Sequence, residues 1–167
     1  MNPTRIAFAA GSLFAASIAL SFVHPWGNLR SRVQADAPLL DGSAAPDEVL
    51  HILENKCADC HSTNTDWPFY SRLAPGSWLV EHDVHEGRNH LNMSQWQRYN
   101  RDTQIDVLTK IASEVRSGQM PVKQYLILHP KARLSPEEQQ LIYDWAKGER
   151  KHIKQWIEGL RDKPPAN

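Results

Sequence analysis

The chain has 167 residues, with 19 basic and 19 acidic side chains, a length that suits one domain plus a leader. The balance is uneven along the chain: Arg5, Arg30 and Arg32 are the only bases before Asp36, no acid precedes it, and the remainder carries 16 bases against 19 acids. A net charge of −3 over that part lacks the basic footprint that nucleic acid requires, so nucleic acid is excluded as a partner.

Ile6 to Val23 is an uncharged run of 18 residues rich in Ala, Leu, Ile and Phe. As a helix it would span about 27 Å, close to the roughly 30 Å hydrocarbon core of a bilayer. A cleaved leader needs small residues soon after its apolar stretch. The only such pattern, Val33-Gln34-Ala35, lies well beyond Val23, past Pro25 and two arginines. Residues 1–23 therefore read as an anchor rather than a signal peptide; cleavage would leave a soluble protein. Residues 24–46 hold Pro25, Gly27, Pro38, Gly42, Ser43 and Pro46 without apolar periodicity, which reads as a linker of irregular chain.

A helix is expected over 47–56. Asp47 and Glu48 suit its positive end, and Val49, Leu50 and Leu53 share a face that Cys57 continues. The helix leads into Cys57-Ala58-Asp59-Cys60-His61, which contains the only two cysteines of the chain. C-x-x-C followed directly by His is the pattern of covalent haem attachment. Two sulfurs about one helical turn apart reach one edge of a porphyrin, and the next residue can place an imidazole under the iron. Other uses of the pair fit less well. A thioredoxin-like motif wants a βαβ setting, a disulfide across two residues would constrain the unfolded chain little, and a zinc site needs a second ligand pair. In bacteria covalent attachment takes place outside the inner membrane, which puts the N-terminus inside and the domain on the periplasmic side.

Trp67-Pro68-Phe69-Tyr70, Leu73, Pro75 and Trp78 form an aromatic, proline-broken stretch that could wall a haem or pack only against protein. A helix is expected over 77–86, with Trp78, Leu79 and Val84 inward and Gly87 as its C-cap. Arg72 and Arg88 are candidate partners for haem propionates, because guanidinium pairs bidentately with carboxylate. Asn92 or Ser94 can cap a short turn. Residues 102–117 are the clearest helix, with Ile105, Leu108, Ile111, Ala112 and Val115 at three- and four-residue steps, ended by Gly118.

Gln119-Met120-Pro121 follows at once. A second axial ligand could come from Met93, Met120, His82, His85, His90 or His129. Met120 is the choice: it lies 59 residues past His61, in a loop that follows a helix, and a thioether favours ferrous iron. Met93 is second, its other use being core packing, and ligation by two histidines remains open. Tyr125 to Leu128 is a short apolar segment. Ser135-Pro136-Glu137-Glu138 starts a helix, with Ser as N-cap, Pro at N1 and Glu138 closing a capping box. Leu141, Ile142, Trp145 and Ala146 make its buried face, and Trp156 and Ile157 allow it to continue past Gly148. Lys147, Arg150, Lys151 and Lys154 give it a basic, solvated surface, and Pro164 and Pro165 end the chain in a tail.

From about residue 45 to 150 the chain resembles the haem-binding domain family of small bacterial c-type cytochromes. The resemblance is carried by Cys57-Ala58-Asp59-Cys60-His61, Trp67-Pro68-Phe69-Tyr70-Ser71, Pro75-Gly76-Ser77-Trp78, Gly87-Arg88, Leu91 to Trp96, and Ser117 to Pro121, with His129 and Trp145 beyond. It implies one haem, a distal methionine that falls on Met120, and one N-terminal hydrophobic segment.

Taken together, these readings predict an all-α, cytochrome c-like domain over 47–161 behind the anchor and linker. Its single haem c would be attached through Cys57 and Cys60 and ligated by His61 and Met120. The expected role is one-electron transfer to a redox partner protein, not catalysis. A five-coordinate sensor or peroxidase-like enzyme, and a haem subunit of a larger membrane complex, are the alternatives.

Overall fold

The structure, a computed structural model, describes residues 2–30 and 38–161. Arg32, Val33-Gln34-Ala35, Pro164 and Pro165 lie outside the described residues. Among those described there are seven α-helices and no strand: α1 Pro3–Leu20, α2 Asp47–Lys56, α3 Ala58–His61, α4 Gly76–His90, α5 Arg101–Arg116, α6 Lys123–Leu128 and α7 Pro136–Arg161. The all-α expectation holds.

Local sequence accounts for the main helices. In α2, Asp47 and Glu48 occupy the first turn and Val49, Ile52 and Leu53 are buried. Asn100 caps α5 by accepting from Thr103 N–H at 2.8 Å, and Val107, Leu108, Ile111, Ala112 and Val115 form the buried stripe. The capping box of α7 is reciprocal: Glu138 N–H donates to Ser135 Oγ at 3.2 Å, and Ser135 N–H donates to Glu138 Oε2 at 2.7 Å. The long helix runs through Gly148 without a break. Its Ile142, Trp145, Ala146 and Ile153 meet the α5 stripe in a single core with α2. Burying a side chain such as Leu108 fully is worth about 1.5–3 kcal/mol, so the α5–α7 seam dominates the framework on which the rest sits.

Two expectations are corrected. Gly87 is not a C-cap, because α4 continues through it to His90. The reason is packing: a Cβ on Gly87 would stand 2.5 Å from the Cys60 carbonyl oxygen. Leu79 does not face inward but is half exposed, whereas Val84 is buried. The segment before α2 is irregular, as expected, and its described residues are held against the domain. Leu29 and Leu40 are buried, Leu40 N–H donates to the Met93 carbonyl at 2.9 Å, and Ala44 N–H donates to the buried Glu149 at 3.2 Å.

Candidate functional site

The site is assembled from the end of α2, the single turn α3, the middle of α4 and the loop after α5. The α2 helix delivers Cys57, whose N–H still donates to Leu53 O at 2.9 Å. The chain then turns tightly, with Cys60 and His61 N–H both directed at the Cys57 carbonyl (3.3 and 3.0 Å). Helix α4 lies directly on this turn because Gly87 presents no side chain to Cys60.

Met120 is placed by the way α5 ends. Gly118 takes a φ of +69°, a conformation that side chains disfavour. Gly118 N–H returns to Val115 O at 3.1 Å and Gln119 N–H to Glu114 O at 3.0 Å, the two bonds of a Schellman motif. Met120 N–H also reaches Glu114 O at 3.2 Å. The loop therefore leaves the helix in one defined direction.

Cys57, His61, Val115 and Met120 together line two adjoining cavities of about 350 and 390 Å³. These volumes are within the range of small-molecule and cofactor sites. Cys60 lines the first, and Leu53, Leu91, Met93 and Ile111 give the second its apolar wall. The wall thus comes from α2, α5 and the chain after α4. The aromatic stretch does not supply it: Phe69 is exposed, and Pro68 and Tyr70 line a smaller recess beside Cys60. Met93 is fully buried in the core.

The imidazole of His61 has its tautomer fixed. Nδ1 stands 3.1 Å from the Leu91 carbonyl oxygen, which can only accept, so Nδ1 carries the hydrogen and Nε2 keeps a lone pair. Burial holds the His61 pKa below the ordinary value, and the bonds to Leu91 and Gly87 oppose this only in part. Both cysteines are free thiols. Burial pushes Cys57 up to about 12, aided by Cys60. Burial, then Asp83 and Asp59, does the same for Cys60. Such thiols carry little thiolate near neutrality.

Arg72 and Arg88 line neither cavity. Arg72 is exposed at the end of a 3₁₀ turn, Phe69–Arg72. Arg88 holds the loop that follows the motif, donating to Ser62 O at 2.7 Å, Thr63 O at 3.2 Å and Thr65 Oγ1 at 3.1 Å. Of the histidines, His90 lines both cavities and His82 one, with the side chain of His90 67% exposed at the rim. His129 instead meets the Tyr70 hydroxyl at 2.6 Å and stacks on Tyr125 at 4.2 Å.

Asp59 is a site residue that sequence reading passed over. Its carboxylate accepts from Tyr125 O–H at 2.9 Å and from Asp66 N–H at 3.0 Å, while its carbonyl accepts from Thr65 at 2.6 Å. It ties the motif to α6 and to the following loop. Burial, then Asp59, holds the Tyr125 pKa above its usual range.

Among the described residues no three His, Cys, Asp or Glu side chains converge as a metal cage. A porphyrin needs none, because it brings four nitrogens of its own and asks the protein only for axial ligands, an apolar wall and anchoring points. A tautomer-fixed imidazole, a thioether and two thiols around apolar space meet that demand, and the class they define is a haem protein. The chain belongs to the haem-binding domain family, whose sequence profile matches residues 15–148. Neither a search of curated proteins nor one of solved structures returned a significant match.

Proposed function

We propose that the chain is a mono-haem c-type cytochrome that passes single electrons on the outer face of the bacterial inner membrane, to which α1 anchors it. The observation that carries this reading is that Cys57, His61 and Met120 border the same pair of cavities. Bound haem supplies one-electron chemistry, its iron alternating between ferrous and ferric states. Cys57 and Cys60 would each add S–H across one vinyl group, with the sulfur bonding to one carbon and the hydrogen to the other, leaving two thioethers. His61 offers Nε2 as proximal ligand, and its Nδ1–H bond to Leu91 O raises the basicity of the ring. Met120 offers a soft sulfur that favours the reduced state. With His61 and Met120 both holding the iron, gain or loss of an electron would require neither side chain to move away. The partners would be redox proteins, with the chain a carrier rather than a catalyst.

The test is spectroscopy with a variant. In the haem-loaded protein we expect a low-spin ferric spectrum with the weak red band of a methionine–iron bond. Met120→Ala should abolish that band and open the iron to carbon monoxide when reduced. A low-spin spectrum unchanged by Met120→Ala would remove Met120 and direct attention to His90. A high-spin native spectrum with rapid carbon monoxide binding would replace the carrier reading with a sensor or peroxidase. Mass spectrometry under denaturing conditions should show haem still bound, and its release would refute covalent attachment.

A further inference from the structure

α1 is apolar, 18 residues long and without a buried residue, as a membrane span would be. A tether would need no contact with the domain, yet its last turns are fastened to it. Ser17 Oγ donates to the Ala74 carbonyl at 2.5 Å, and Ser21 Oγ accepts from Ala74 N–H at 2.8 Å. Two serines at i and i+4 therefore satisfy both backbone polar groups of one domain residue. Just beyond, Trp78 Nε1–H donates to Val23 O at 2.8 Å, and His24 Nδ1 meets the buried Glu81 at 2.7 Å.

Backbone groups left unpaired in lipid cost several kcal/mol each, whereas in water they need no such care. Ala74 is itself buried away from water, so its two backbone groups need partners, and it is the last turns of α1 that supply them. Ser17 lies three residues, about 4.5 Å, from the end of the helix, so Ala74 sits at the boundary of the span. The surroundings agree. Phe22 and Phe69 are 80% and 83% exposed, and Val23 and Leu73 are also exposed. Trp78, with its ring nitrogen turned to the chain, is the kind of side chain that settles at the headgroup level.

We propose that this face, made of Phe22, Val23, Phe69 and Leu73 around the Ser17–Ala74–Ser21 junction, rests in the interfacial layer of the bilayer. The domain would then lie on the membrane instead of hanging from it. The occupant is lipid, because Phe22 and Val23 follow directly on the apolar α1 and Leu73 adjoins Ala74, which the serines of α1 hold. The inference rests on the proposed anchoring role of α1.

It is tested with the full haem-loaded chain in phosphatidylcholine vesicles, carrying a photoreactive benzoylphenylalanine in place of Phe69, Phe8 or Lys151. Phe8 lies within α1, and Lys151 is exposed on α7. On irradiation, lipid adducts should form at positions 8 and 69, several-fold above position 151. Ser17→Ala with Ser21→Ala should reduce the yield at 69 while sparing that at 8. Adducts at 8 but not at 69 would overturn the resting face and leave the anchor standing. Adducts at neither would remove both, and chain-to-chain adducts at 69 would assign the patch to a second copy instead.

Discussion

At the scale of single residues, burial explains what the two thiols can and cannot do. A thiol whose folded pKa is raised from 9.0 to about 12 holds its proton more tightly in the fold than in the unfolded chain. Its contribution to stability is full below pH 9 and is lost as pH climbs toward 12. We therefore expect the haem-free chain to lose stability steeply over that range in urea titrations, and a chain whose thiols are bound as thioethers, as proposed, to lose much less, having no thiol to ionise. Gly87 gives a second prediction. Gly87→Ala forces α4 away from the Cys60 backbone, an overpacking cost of about 1–3 kcal/mol, and should also lower haem incorporation, measured as absorbance per mole of protein. Met93 separates wall from ligand: Met93→Leu should cost less than about 1.5 kcal/mol and keep the low-spin spectrum, because Met93 is a fully buried apolar wall of the second cavity that leucine can replace.

At the scale of elements, termini decide as much as faces do. Ser135→Ala removes an acceptor from the start of α7 and should cost about 1 kcal/mol in thermal or urea unfolding, with no change in the spectrum. The helices were legible because their signals are local: the carboxylates that open α2, the apolar steps of α5 and the capping box of α7. The Cys57–His61 stretch and the loop bearing Met120 stand out in the sequence for the same reason, and they border the same cavities. What was hidden depends on contacts across the chain. Gly87 looks like a helix stop in one dimension, and only the approach of Cys60 shows why it is a helix interior. Asp59 occupies a position where the motif tolerates any residue, so nothing local signals its bonds to Tyr125 and Asp66. Leu40 sits in a proline- and glycine-rich segment that carries no periodicity, although it is buried in the core.

At the scale of the whole molecule, cofactor and framework depend on each other. Cavities of about 350 and 390 Å³ interrupt the contact between α2, α4 and α5, and apolar walls facing empty or water-filled space forfeit packing. Replacing Cys57 and Cys60 by serine should give a chain that keeps its helical far-ultraviolet signal, loses much of its near-ultraviolet signal and melts less cooperatively. The α5–α7 seam, with its own apolar stripe, should be the last part to exchange its amide hydrogens. Equal protection of α3 and α7 in the haem-free chain would contradict that division.

Helix α4 has one further consequence. The same 15-residue rod bears Glu81, held by His24, and Gly87, pressed against Cys60, about 9 Å apart along its axis. It is a strut between the end of α1 and the two cavities. A tilt at the first would reach the second as a rotation of the helix, not be absorbed by slack chain. If the domain rests on the bilayer as proposed, the search for a redox partner would become two-dimensional, and the attitude of the molecule would be set before the encounter begins.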